Sequence, residues 1–173
     1  NEGAEIVGMF NAAFNALTGN DDDYYPLLRR QRIDEINARV YADINNGVYR
    51  AGFATTQAAY EEAVTAVFAA LDWVESLLGD TAYLAGDEIT EADWRLVTTL
   101  VRFDAAYHGH FKCNLRRLAD YPNITHYLRG LLATPGIAET VDLDQIKTHY
   151  YWSHVTINPT RVVPLGPLAP LPL

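Results

Sequence analysis

The chain has 173 residues, of which 49% are hydrophobic, with one cysteine and a formal net charge of −9. This length fits one domain that buries roughly 70% of its unfolded surface, and the acidic balance argues against a nucleic-acid-binding surface, which needs clustered Lys and Arg. The single Cys113 favours a reducing compartment, and the absence of a leader pattern or of an apolar run of about 18 residues predicts a cytoplasmic domain without a membrane span.

The first half of the chain repeats its apolar residues at helical spacing. A first helix ends at the segment TGNDDDYYP and carries its stripe on Ile6, Phe10, Phe14 and Leu17. A second helix follows Pro26, stops at Asn46-Gly47, and has the stripe Ile33, Ile36, Val40 and Ile44. A third helix is predicted from Thr55 to Leu78, with Gly79 just beyond its end.

The segment ITEADWRL predicts the start of a fourth helix. Thr90 can cap the N-terminus while Asp93 reaches back to it, and Ile89 and Trp94 stand where a hydrophobic staple would join them. The helix then continues inward through Leu96, Leu100 and Phe103.

The rest of the chain is predicted to hold shorter helices and a tail. One helix opens at Pro122 and runs to Leu132, a short one starts at Thr134-Pro135, and DLDQIKTHYY forms the last. Five of the eight prolines follow residue 158. The sequence therefore predicts an all-α bundle over residues 1–158 and a proline-rich C-terminal tail over 159–173.

No metal site is predicted from the histidines or the acidic run. His149 and His154 are five residues apart, which puts them about 140° apart on a helix, whereas zinc helices use the spacing His-x-x-x-His. His108 and His110 would need further ligands from elsewhere. The Asp21–Asp23 run is interpreted as a solvated loop.

The residue patterns do not indicate nucleophilic catalysis. Cys113 has Lys112 beside it, which would lower the pKa of the thiol, but it has no Cys-x-x-Cys partner and no helix N-terminus. A buried or idle thiol is the favoured interpretation. The chain also contains neither a Gly-x-Ser-x-Gly elbow nor a phosphate-binding glycine loop.

Tyrosine is unusually frequent, with eleven tyrosines against six phenylalanines. Tyr49, Tyr107 and Tyr150 each stand where a predicted helix starts or stops, so all three can reach one end of the bundle. If they converge, they form an apolar pocket with hydroxyl groups, suited to a flat aromatic ligand that carries hydroxyls itself. Trp152, close to Tyr150, is expected to be a structural plug.

Three separated segments closely resemble the C-terminal helical domain of the S-glutathionyl-(hydro)quinone reductases, the xi class of glutathione transferases. These segments are NNGVYRAGFATTQAAYEEAV, RFDAAYHGHFKCN and HYYWSHVTINPTRVVPLGP, and the likeness covers nearly the whole chain. ITEADWRL also resembles the capping box and staple of glutathione transferase helical domains in general. The resemblance implies the all-α, glutathione-transferase C-terminal-like helical bundle.

The resemblance further implies a two-domain enzyme that acts on glutathionylated hydroquinones or quinones. A thioredoxin-like N-terminal domain, absent from this chain, would bind glutathione and carry the catalytic cysteine in a Cys-Pro motif, so the chain alone is expected to be inactive. Cys113 lies in the family's HFKCN segment and is not expected to replace that cysteine. The helical domain would bind the hydroquinone through Tyr49, Tyr107 and Tyr150, and it would pair as a homodimer.

A second hypothesis is a non-catalytic glutathione-transferase-like helical module used for protein assembly. The three tyrosines in their motifs favour the first hypothesis, because an assembly module has no reason to keep them.

Overall fold

The computed structural model describes residues 3–167 and confirms the all-α fold. Its α-helices are α1 (Gly3–Phe10), α2 (Asn15–Thr18), α3 (Arg30–Arg39), α4 (Gly47–Gly52), α5 (Gln57–Asp80), α6 (Glu91–Arg102), α7 (Pro122–Leu132) and α8 (Leu143–Ser153). Residues 3–167 form no strand, only an isolated backbone bridge between Tyr83 and Gly86. No helix in this part of the chain has the length and apolar composition to cross a bilayer.

Helix α5 is the longest of these helices and packs against α4 and α7. Thr56 caps its N-terminus, where the Thr56 hydroxyl accepts the Ala59 N–H at 3.3 Å. The helix runs through Gly79 and ends at Asp80, so the predicted stop before Gly79 is wrong. Its buried face consists of Ala63, Val64, Val67, Phe68, Ala70, Leu71 and Val74.

The second predicted helix does not stop at Asn46-Gly47. Its stripe of four aliphatic residues is buried as expected, but the chain continues through a π-helical segment, Val40–Asn45, directly into α4. Gly47 serves close packing rather than a turn: a Cβ there would lie 2.9 Å from Cγ2 of Val67. The glycine therefore lets α4 approach α5 more closely than any side chain would permit.

The predicted capping box at the N-terminus of α6 is confirmed. The carboxylate of its acidic residue, Asp93, also accepts hydrogen bonds from outside the box. Oδ2 of Asp93 accepts the N–H of Thr90 at 2.7 Å and the Thr90 hydroxyl at 3.0 Å. Oδ1 accepts the N–H of Leu84 at 3.0 Å and the hydroxyl of Tyr127 at 2.9 Å. One fully buried carboxylate thus joins α6, α7 and the loop between α5 and α6.

The N-terminal segment differs from the single helix that its apolar spacing predicts. Helix α1 ends at Phe10, turns follow, and α2 begins at Asn15. The whole predicted stripe is exposed: Ile6, Phe10, Phe14 and Leu17. The period gave the helical conformation correctly, but period alone does not say whether anything covers the apolar face.

The C-terminal half follows the prediction more closely. Helix α7 has the predicted bounds, and Asp142 caps α8 by accepting the N–H of Gln145 at 2.9 Å. The short helix expected at Thr134-Pro135 is instead a single 3₁₀ turn at Ala138–Thr140.

Part of the predicted tail runs along the bundle. Residues 161–167 have no regular secondary structure, and the ammonium of Lys147 donates to the carbonyl of Leu165 at 3.2 Å. The amide of Asn158 donates to the carbonyl of Val162 at 3.0 Å. The remainder of the tail, residues 168–173, lies outside the described residues.

Candidate functional site

Tyr49, Tyr107 and Tyr150 come together at one end of the bundle. The hydroxyl oxygens of Tyr49 and Tyr150 are 2.6 Å apart, and those of Tyr107 and Tyr150 are 2.8 Å apart. The three rings lie edge-on or tilted to one another, with centroids 5.3 to 6.3 Å apart. We call these three residues the tyrosine cluster.

Two π-helical segments bring the tyrosine cluster together. In Val40–Asn45 and Phe103–Tyr107, backbone N–H groups donate to carbonyls five residues earlier, which inserts one extra residue in a helical turn. The first segment precedes Tyr49 and the second ends with Tyr107, so each insertion rotates the residues that follow it. Tyr150 reaches the same point from α8.

Phe111 forms the platform beneath the cluster and was missed by sequence reasoning. Its ring is stacked on Tyr107 at 5.5 Å and lies edge-on to Tyr49 at 5.1 Å. Gly52 makes room for it, since a Cβ there would lie 2.2 Å from the Phe111 ring. Gly52 in GVYRAGF is the sequence feature that could have indicated this contact. Its helix does not need a glycine there, so the residue points to a close neighbour.

The three tyrosines of the cluster differ in their exposure to solvent. Tyr107 is 2% exposed and Tyr150 is 5% exposed, whereas Tyr49 is 38% exposed. Burial raises the pKa of Tyr107 well above its usual range, with the hydrogen bond to Tyr150 adding to the effect. Burial also raises the pKa of Tyr150 to about 12. Both phenols therefore stay protonated at neutral pH.

Counting protons shows what the cluster can do for a ligand. Three phenol hydroxyls carry three protons, and the two hydrogen bonds among them use two. One O–H is left to donate outside the cluster, whichever direction the two internal bonds take. A ligand oxygen at the accessible side would accept a hydrogen bond from that O–H.

The cluster opens into a cavity of about 930 Å³. Its walls come from α1, α3, the first π segment, α6 and α8, with Arg95, Arg102 and His149 among the lining residues. The other residues of the wall are Gly3, Ala4, Val7, Asn37, Ala38, Tyr41, Asn45, Asn46, Trp94, Thr98 and Thr99.

Two histidines near the cluster, His110 and His154, contact each other. Nε2 of His110 lies 3.1 Å from Nδ1 of His154, and their rings are stacked at 5.2 Å. Within residues 3–167, no group of three or more His, Cys, Asp or Glu side chains is placed to hold a metal ion. Burial, aided by the charges of His154 and Lys112, lowers the pKa of His110 to about 4.

This pair makes stability depend on pH. An unfolded histidine has a pKa of about 6.5 and takes up a proton on acidification before folded His110 does. We expect the stabilisation by neutral His110 to be complete above about pH 6.5 and to fall by about 2 kcal/mol on reaching pH 5. Urea unfolding of wild type and of His110→Gln at pH 7.5 and pH 5 measures the difference, and His126→Gln, an exposed histidine, is the control. Equal pH slopes for wild type and His110→Gln would contradict this account.

Cys113 is fully buried, and burial raises the pKa of its thiol to about 12. Lys112 opposes this shift but does not overcome it. The thiolate is the nucleophilic form of cysteine, so a group with this pKa is poorly suited to attack a substrate at neutral pH.

The expectation that Trp152 is a structural plug is wrong. Its side chain is 53% exposed, and the guanidinium of Arg161 lies over its ring at 5.2 Å. Tyr150 and Trp152 are two residues apart on α8 and so point to different faces of the helix.

Comparison with known proteins agrees with this fold. Residues 57–130 match the family described as Glutathione S-transferase, C-terminal domain. The chain is 55% identical over 172 residues to glutathionyl-hydroquinone reductase PcpF of Sphingobium chlorophenolicum, covering 99% of this chain and 55% of that protein. It is 54% identical over 167 residues to glutathionyl-hydroquinone reductase YqjG of Escherichia coli, covering 96% of this chain and 51% of that protein.

Solved structures give the same result. The glutathione-bound structure of YqjG superimposes with a TM-score of 0.94 at 53% identity, covering 97% of this chain and 55% of that one. The glutathione-S-transferase Xi of Phanerochaete chrysosporium gives 0.93 at 49% identity, covering 97% and 59%. The chain thus spans little more than half the length of these relatives. Over nearly its whole length the chain is therefore similar to xi-class glutathione transferases and to glutathionyl-hydroquinone reductases, and its residues 57–130 match the C-terminal domain of glutathione S-transferases.

Proposed function

We propose that this chain is the hydroquinone-binding part of a glutathione-dependent reductase of S-glutathionyl-hydroquinones. The observation that carries the proposal is the tyrosine cluster, which keeps one O–H donor free beside a cavity large enough for an aromatic ring. A hydroquinone oxygen accepts that hydrogen bond, while the flat ring packs among the aromatic side chains. The similarity to the glutathionyl-hydroquinone reductases PcpF and YqjG supports the same substrate class.

The proposed reaction has two steps, as the family resemblance implies. A cysteine thiolate attacks the sulfur of the glutathionyl group, an S–S bond forms, and the carbon–sulfur bond breaks. The bond breaks from the keto tautomer of the ring, in which the carbon that carries sulfur has already taken up a proton. The electron pair of the broken bond then passes into an enolate, its oxygen is protonated, and the hydroquinone leaves. A second glutathione thiolate then attacks the enzyme–glutathione disulfide, which gives glutathione disulfide and restores the cysteine.

The tyrosine cluster would act in the first of these steps. As the carbon–sulfur bond breaks in the keto tautomer, negative charge develops on the oxygen of the enolate. Hydrogen-bond donors already positioned at an oxygen stabilise such charge without reorganising. Because the hydroxyls of Tyr107 and Tyr150 stay protonated at neutral pH, they can keep this role throughout the physiological range.

The proposal assigns glutathione and the reactive cysteine to a thioredoxin-like domain elsewhere in the full enzyme. Within this chain the sole cysteine is buried with a raised pKa, which supports the expectation that the helical domain alone is inactive. Pairing of two copies through their helical domains and a cytoplasmic location are parts of the same proposal.

Binding by the chain itself tests the proposal. We expect methylhydroquinone, kept reduced by ascorbate, to bind wild type about tenfold more tightly than Tyr150→Phe, because the variant loses the hydroxyl that links the cluster. Isothermal titration measures both dissociation constants. Tyr83→Phe is the matched control, since Tyr83 packs on Tyr127 and does not line the cavity.

Failure of methylhydroquinone to bind wild type would reject the substrate-binding role and leave the assembly-module hypothesis. Equal binding by wild type and Tyr150→Phe would show that the ligand binds elsewhere.

A further inference from the structure

The cavity beside the tyrosine cluster is lined by basic side chains and by no acidic one, although the chain as a whole carries a net charge of −9. Two arginines, Arg95 and Arg102, line it together with His149, and none of its lining residues is Asp or Glu. A cavity of one sign in a chain of the opposite sign concentrates ligands of opposite charge to its walls.

The two arginines differ in how much of their charge is available. Arg95 forms an ion pair with Glu91 at 2.5 Å and donates to the carbonyl of Ala4. Arg102 forms no ion pair among the described residues, and its one hydrogen bond there goes to the carbonyl of Thr98. The guanidinium of Arg102 therefore keeps most of its donors for a ligand.

Arg102 is also close to the tyrosine cluster. It is the last residue of α6, immediately before the π segment that ends at Tyr107, and it shares the cavity wall with Tyr150. Its positive charge acts on the Tyr150 phenol, where it opposes the rise in pKa that burial causes. A ring held by the cluster would thus present a neighbouring substituent to this guanidinium.

One acidic residue lies on the other side of Arg102. Asp142 lines a second cavity of about 260 Å³ that Arg102 also borders. The Asp142 carboxylate caps α8 through the N–H of Gln145 and forms no ion pair with Arg102 in the described part of the chain. It does not line the larger cavity, so its carboxylate does not compete there with a ring substituent for Arg102.

We propose that Arg102 makes the pocket selective for hydroquinones that carry a carboxylate on the ring. The inference rests on the proposed function, because it assumes that the tyrosine cluster holds a ring hydroxyl. Carboxylate and guanidinium match in shape, since both are planar and a bidentate pair of hydrogen bonds can join them. Arg102 then contributes specificity, while the phenols contribute the binding of the ring oxygen.

A pair of nearly isosteric ligands isolates the charge. We expect wild type to bind 2,5-dihydroxybenzoate about fivefold more tightly than neutral 2,5-dihydroxybenzamide, as measured by isothermal titration at pH 7.5. The ratio should fall to about one in Arg102→Gln and on raising the salt concentration to about 0.5 M. Arg102→Lys keeps the charge without the planar fork and should retain part of the preference.

Arg129→Gln is the matched control, because it removes the same charge from an exposed position on α7 that does not line the cavity. A ratio near one in wild type, or an unchanged ratio in Arg102→Gln, overturns the inference while leaving the proposed function intact. Failure of both ligands and of methylhydroquinone to bind overturns the proposed function, and this inference with it.

Discussion

Replacing Asp93 by alanine is expected to lower the free energy of unfolding by about 4 kcal/mol. The change removes the acceptor for the N–H groups of Leu84 and Thr90 and for the hydroxyl of Tyr127, all of them buried. Each buried donor left without a partner costs about 1–3 kcal/mol, and the lost cap of α6 adds about 1 kcal/mol. Urea unfolding followed by far-UV circular dichroism measures the change.

Two further variants separate the contributions to this loss. Asp87→Ala, at an exposed position in the loop before α6, should change stability by less than about 0.5 kcal/mol. Tyr127→Phe removes only one of the four bonds to the carboxylate and should cost about 1 kcal/mol. If Asp93→Ala costs no more than Tyr127→Phe, the carboxylate is not the joint between α6 and α7 that its contacts indicate.

The capping residues were predictable because their chemistry is local. Thr90 and Asp93 are three residues apart, and a capping box depends on little beyond that spacing and the residue types. What lay beyond the sequence was the second pair of partners, since the spacing around Asp93 says nothing about Leu84 or Tyr127. Such partners depend on how α6 and α7 pack.

The two π segments could not be predicted from the sequence. The apolar stripe through Val40 and Ile44 predicted a helix correctly, but a single inserted residue has no signature in a 3.6-residue period. Gly47 was consequently interpreted as a stop, whereas it serves close packing against Val67. The exposed N-terminal stripe is the opposite case. The apolar period predicts helical conformation there, but the apolar side chains are not buried.

The location of the tyrosine cluster was predictable from the sequence, but its hydrogen-bond network was not. The positions of Tyr49, Tyr107 and Tyr150 at helix ends placed them at one end of a bundle, and the family resemblance named the same residues. The order of the hydroxyls, with Tyr150 between the other two, depends on the two π segments and on the angle of α8. Arg102 was missed because an arginine at the end of a helix is ordinarily interpreted as a favourable partner of the helix dipole.

The central position of Tyr150 leads to the second large effect, in the two-domain reductase that the proposed function describes. We expect Tyr150→Phe to lower kcat for reduction of glutathionyl-menadiol by about 100-fold with a smaller change in KM, because the donor matters most when charge develops on the ring oxygen. Tyr49→Phe should cost less, about tenfold, since the hydroxyls of Tyr107 and Tyr150 remain bonded to each other. Tyr83→Phe should leave kcat unchanged.

The effect of Tyr150→Phe on folding must be measured separately from its effect on kcat. Tyr150→Phe leaves the hydroxyl of Tyr107 without its partner in a site that is 2% exposed, which should cost about 1 kcal/mol of stability. That cost is too small to unfold the domain, so urea unfolding should show a folded variant while steady-state rates show the loss of kcat. A folded Tyr150→Phe enzyme with kcat within twofold of wild type would mean that the phenol at the centre of the cluster does not stabilise the transition state. The phenols would then be part of the core of the bundle, and the donor to the ring oxygen would have to come from another residue of the cavity.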